Sequence, residues 1–117
     1  MASINRKVIE ELRALESAGS PGLLRELIDT FFKEADGQLA KVRAGVADRN
    51  GPVVQKASLA LKGSSANLGA QAMSRMCAEL HELSRSADWT RAADLLPRLE
   101  SELQAVRSEL EPEKGAS

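Results

Sequence analysis

From Leu24 to Val46, apolar residues recur three and four apart without losing phase: Leu24, Leu27, Ile28, Phe31, Ala35, Leu39, Val42 and Val46. That spacing keeps a single apolar stripe through about six turns of α-helix. A helix of this length does not hold together in water on its own propensity and must lay its stripe against other helices. Gly37 sits inside the pattern, at a cost of about 1 kcal/mol relative to Ala. The stripe continues across it, so the spacing predicts one helix from about 21 to 47.

Four further segments carry the same period. Residues 4–17 hold Ile4, Val8, Leu12 and Leu15. Residues 52 to about 66 hold Val54, Ala57, Ser58, Leu61 and Ser65, with Leu68 just beyond. Residues 70–86 hold Met73, Met76, Cys77, Leu80, Leu83 and Ser84. The last segment, capped by Asp88, holds Ala92, Leu95, Leu96, Leu99, Leu103, Val106 and Leu110. The breaks are short. In Gly19-Ser20-Pro21-Gly22, Ser20 is placed to cap the second helix and Pro21 to open it. Asp48-Arg49-Asn50-Gly51 precedes Pro52, and Asn67-Leu68-Gly69 ends the third helix. Pro97 predicts a kink or early break in the fifth. The polar tail, residues 111–117, is expected to be disordered. Short connections between amphipathic helices give an all-α fold: an antiparallel up-down four-helix bundle, with the short N-terminal helix across one end. Residues 1–117 form one such domain.

Composition narrows the function. Sixteen basic and seventeen acidic residues give a net charge of −1, which argues against nucleic-acid binding through bulk charge. Two Phe, one Trp and no Tyr leave an aliphatic core. Phe31 belongs to the stripe, Phe32 to its edge, and Trp89 to the end of the bundle. Cys77 is the sole cysteine and His81 the sole histidine, so no internal disulfide forms and no structural zinc site of the usual kind fits one chain. No cofactor or metal is expected. The chain opens on no signal peptide and holds no membrane-length apolar run; the expectation is a cytoplasmic, monomeric protein. Its opening Met and short tail favour a freestanding one.

The third segment has two unlike faces. Val54, Ala57, Ser58, Leu61, Ser65 and Leu68 share the inner stripe. Gln55, Leu59, Lys62, Gly63 and Ala66 fall opposite, placing an apolar side chain beside a cation and a bare glycine. The run Leu61-Lys62-Gly63-Ser64-Ser65-Ala66-Asn67-Leu68-Gly69-Ala70 resembles the signature of histidine-containing phosphotransfer (HPt) domains, the four-helix-bundle phosphocarriers of two-component phosphorelays. The resemblance is specific over this run, and the helix pattern extends it over most of the chain. It implies a phosphoacceptor histidine two residues before the Leu-Lys-Gly, where this chain has Leu59. Leucine has no lone pair with which to attack phosphorus.

The resemblance thus implies a degenerate member that is not an enzyme and cannot be phosphorylated at the usual position. It would bind response-regulator receiver domains, and by extension a sensor histidine kinase, as adaptor, competitor or inhibitor of a phosphorelay. Leu59, Lys62, Gly63, Ala66, His81 and Arg85 are the expected partner-binding residues. In the family the lysine matching Lys62 steadies the phosphoryl group, and the glycine matching Gly63 clears room for the receiver. By the same analogy His81 and Arg85 flank Leu59 and Lys62. Plainer readings stand beside these. A single exposed Leu needs no explanation, Lys62 fits a solvated surface lysine, and Ser64 and Ser65 fit helix packing. Two other functions remain open. One is an active phosphotransfer protein with His81 as a relocated acceptor, against which stands the displacement of the nucleophile to another helix. The other is a helical interaction module unrelated to phosphorelays.

Overall fold

Each periodic segment is a helix in the computed structural model, which describes residues 3–115. They are α1 (Arg6–Ser17), α2 (Leu23–Ala47), α3 (Gly51–Asn67), α4 (Gln71–Arg85) and α5 (Trp89–Gly115), and no strand occurs among the described residues. Helices α2 to α5 run up and down as an antiparallel four-helix bundle. α3 packs between α2 and α4, and α5 closes the ring against the same two helices. The inner stripe of α3 is buried at every position, from Val54 to Leu68. Along α2 only Leu27 of the stripe is partly exposed.

The turns are locally encoded. The Asn50 side chain accepts from Val53 N at 3.2 Å and starts α3, and Asp88 accepts from Arg91 N to start α5. Arg49 and Ala87 take positive φ, ending α2 and α4 in left-handed residues. Gly69, at φ 78°, has to be glycine twice over: a Cβ there would also stand 3.0 Å from the Asn5 carbonyl oxygen. That close approach seats α1 across the end of the bundle, where Asn5 N donates to Gly69 O at 2.8 Å. The amides of Ser3 and Ile4 donate to the Glu109 carboxylate.

Three local expectations are corrected. Helix α2 starts at Leu23 after Gly22, not at Pro21 after Ser20. Its cap comes from a distance, as the Glu16 carboxylate accepts from Leu24 N at 3.1 Å. Leu15 is exposed, and Ile9 takes the buried place on α1. Neither Pro97 nor Pro112 stops α5. Both prolines are exposed, so the carbonyls they leave unpaired face water and the helix continues.

The same correction covers the expected disordered tail. Residues 111–115 are helical, while 116 and 117 lie outside the described residues. A polar clasp holds this last turn. Lys114 Nζ lies 2.6 Å from Asp29 Oδ1 and 5.6 Å from the Phe32 ring centroid. Arg107 caps the same ring at 4.9 Å and pairs with Asp36. Glu113 is paired with Arg13 at 2.9 Å and with Arg6 at 3.1 Å. The hydrogen bond from Lys114, partly opposed by burial, holds the Asp29 carboxyl below its ordinary pKa. The bond from Arg13 does the same for Glu113, again against burial. The bond to Asp29 raises Lys114.

The signs of these shifts fix a pH window for the clasp. Depressed carboxyls stabilise the folded state above their unfolded values of about 3.9 and 4.3, and that contribution disappears as pH falls through the lower folded values. Raised Lys114 contributes fully below about pH 10.4 and loses its contribution as pH rises through its folded value. Amide exchange of Glu111–Gly115 should therefore accelerate severalfold, relative to the core, below about pH 4 and again only above about pH 10.4. Asp29→Asn should show the faster exchange already at neutral pH. Exchange unchanged in Asp29→Asn would show that the clasp does not hold the turn.

Candidate functional site

The site is built on one outward face of α3. Stepping about 100° per residue from its buried stripe, Leu59 and Gly63 point away from the core, Lys62 and Ala66 lie toward α4, and Lys56 and Ala60 toward α2. Leu59 is 49% exposed. Lys62, Gly63 and Ala66 are exposed as well, and Lys62 has no ion-pair partner among the described residues. A Cβ placed on Gly63 meets nothing within 4 Å. Glycine here serves no internal packing; it leaves a bare strip of backbone beside Leu59.

The serines beneath this face are occupied. Ser58 Oγ donates to Val54 O and Ser65 Oγ to Leu61 O, each at 2.6 Å, while Ser64 Oγ donates to Ala60 O at 3.1 Å. Small side chains with satisfied hydroxyls let α2 and α4 approach closely, and the Ser64–Ser65 pair is part of the helix rather than a nucleophile with a base.

Two contacts fix how α4 stands against α3. Ser74 Oγ donates to Lys62 O at 3.2 Å, and the Cβ position of Gly51 lies 3.6 Å from Ser84 O. Met76 and Cys77 are therefore level with Leu59, and His81 is level with Val54 and Gln55, about 7 Å further down the axis. Side chains lean toward the N-terminus of their own helix, so in an antiparallel pair Leu59 and His81 lean toward each other along the seam. The His81 side chain is 19% exposed, with Nδ1 3.6 Å from Glu82 Oε1. Arg85 stands a further turn away, level with Asn50 and Gly51. Its guanidinium is bonded to Glu82 at 3.1 Å and is not turned toward Lys62. The structure thus gathers Leu59, Lys62, Gly63 and Ala66 on one face, sets His81 in the adjoining seam, and leaves Arg85 at its far end.

Cys77 lies under this face and is fully buried, its thiol pushed up to about 12 by desolvation. At neutral pH it is an inert core residue.

Gly63→Ala separates packing from contact. With open space around the new methyl group, the helix should gain about 0.5–1 kcal/mol, read as a higher melting temperature. A lower melting temperature would mean that the glycine relieves crowding inside the bundle.

Comparisons with known proteins agree with this geometry. A family model described as Hpt domain matches residues 26–109. The chain is 26% identical over 105 residues to histidine-containing phosphotransfer protein 2 of Arabidopsis thaliana, covering 86% of this chain and 67% of that protein. The crystal structure of histidine-containing phosphotransfer protein B from Pseudomonas aeruginosa PAO1 superposes with a TM-score of 0.86 at 24% identity, covering 98% of this chain and 96% of the other. At that identity the superposition establishes a shared fold.

Proposed function

Because the chain belongs to the Hpt domain family, we propose that it works in two-component phosphorelays as a docking protein for response-regulator receiver domains that carries no phosphoryl group at position 59. The observation behind this reading is the composition of one exposed face: Leu59 at the acceptor position, with the free ammonium of Lys62 one turn on and the open backbone of Gly63 beside it. Such a face offers a partner an apolar contact of about 1.5–3 kcal/mol if Leu59 is fully buried. It also offers a cation for a carboxylate pocket. It offers no nucleophile at position 59. Bound in this way, the protein would occupy receivers that phosphorylatable domains, or a kinase, would otherwise engage.

A second reading has an observation of its own. His81 leans into the seam toward Leu59, and an imidazole nitrogen carries the lone pair that attack on phosphorus requires. Its low exposure works against in-line approach by an aspartyl phosphate.

One experiment tests both. Phosphorylated and unphosphorylated receiver domains from the source organism are mixed with the wild-type chain and with His81→Ala, and both complex formation and transferred label are followed. Complexes without label support docking. Label on the wild-type chain that disappears in His81→Ala would make His81 the acceptor. Absence of any complex would end both readings.

A further inference from the structure

Between Asp48 and Glu79 the chain carries no acidic residue, but it carries Arg49, Lys56, Lys62 and Arg75. In a protein of net charge −1, this stretch is a marked segregation of charge, and the fold concentrates it. Gly45 packs against Val54, where an added Cβ would stand 2.7 Å from Val54 Cγ2. That contact puts Lys41 of α2 level with Ser58, one residue from Leu59. The register of α4 puts Arg75 level with Ala60 and Leu61. Lys56 and Lys62 lie about one turn below and above Leu59 on α3 itself. Four exposed cations from three helices therefore surround one exposed leucine.

None of the four is in an ion pair among the described residues. The bridges between helices tie α5 to α1 and α2, and the rest lie within α1, α4 and α5. Glu79 stands one turn from Arg75 on α4, on the side turned toward Arg91 and Arg98 of α5, and Glu34, Glu82 and Asp48 stand about 8–12 Å from Leu59 along the bundle axis. Between the cations the surface is small and flat: Ala60, Gly63 and Ala66 on α3 and Ala78 on α4.

We infer that this ring of cations steers the docking of a protein whose apolar contact is rimmed by carboxylates, and that Lys41 and Arg75 determine which partners arrive. The inference rests on the docking reading above and adds to it the chemistry of the partner and two residues outside the Leu-Lys-Gly run. Unpaired cations ringing one apolar contact attract an acidic surface at long range and repel a basic one, which raises the association rate and excludes wrong partners. A protein fits this face better than a nucleic acid does, because no aromatic side chain is present on it for bases to stack against.

The test is stopped-flow association of the full chain with each purified, unphosphorylated receiver domain of the source organism, from about 0.02 to 0.5 M salt. Lys41→Glu/Arg75→Glu is compared with Lys7→Glu/Arg98→Glu, which changes the net charge equally at exposed positions away from the face. Melting curves establish that both variants are folded. The expected result is an association rate lowered by about tenfold or more at low salt in the first variant only. The gap should close as salt rises, with dissociation little changed. An unchanged rate in the first variant, or an equal loss in both, would overturn the inference while leaving docking intact. If no receiver domain binds even at low salt, the docking reading fails and the inference fails with it.

Discussion

Leu59→His should turn a chain that takes no label into one that does. The new imidazole would stand on the exposed face of α3, with Lys62 one turn along and open backbone at Gly63. At pH 7 it would be mostly neutral, with a lone pair free. When a phosphorylated receiver docks, that lone pair attacks phosphorus, the aspartyl O–P bond breaks, and the receiver's carboxylate leaves with the electron pair. Lys62 is placed to balance the charge on the transferring group. The expected outcome is label approaching one per chain in Leu59→His, none on the wild type, and a clear loss when Lys62→Ala is added. Label should persist when His81→Ala is added. A Leu59→His chain that binds receivers but never takes label would show that more than the nucleophile is missing.

The second large effect concerns a leucine two residues away. Leu61 is fully buried beneath the same face, and truncation to Ala removes packed methyl groups and leaves a cavity. Leu61→Ala should cost about 2–5 kcal/mol, or about 8–20 °C in melting temperature for a domain of this size. Leu59→Ala, at a half-exposed position, should stay within about 0.5 kcal/mol of wild type while weakening receiver binding by about tenfold or more. The pair is informative because residue type and helix are the same and only the direction of the side chain differs. If Leu59→Ala also lowered the melting temperature by many degrees, Leu59 would belong to the core and not to a contact surface.

That contrast was already visible in the spacing. Placing Ser58 inward puts Leu61 inward and Leu59 outward by rotation alone, and periodicity likewise located the stripes of α2, α4 and α5. What spacing could not show was anything dependent on residues distant in the chain. Pro97 predicts a kink or an early break because the rule is local, yet the helix is unbroken because the carbonyl left free faces solvent. The last turn of α5 looked unsupported because Asp29 and Phe32, which hold Lys114, are some eighty residues earlier. Ser20 looked like a cap because Glu16 reaching forward to Leu24 is not a pattern of neighbours. Around Leu59, the resemblance carried by the Leu-Lys-Gly run points to α3 and, on α4, to His81 and Arg85 only. Lys41 and Arg75 carry no motif, and only the register of three helices brings them level with it.

Everything around Leu59 is helix, and the serines beneath it are bonded back to their own turns. A partner arriving here finds no loop to order and no segment to fold. The entropy lost on docking is confined to a few side chains, at about 0.5–1.5 kcal/mol for each long one that is immobilised. Four flexible cations would forfeit much of their value if each had to be frozen into a close ion pair. They are most effective left mobile, acting at a distance, while the short, stiff leucine at the centre makes the contact that costs least to hold still.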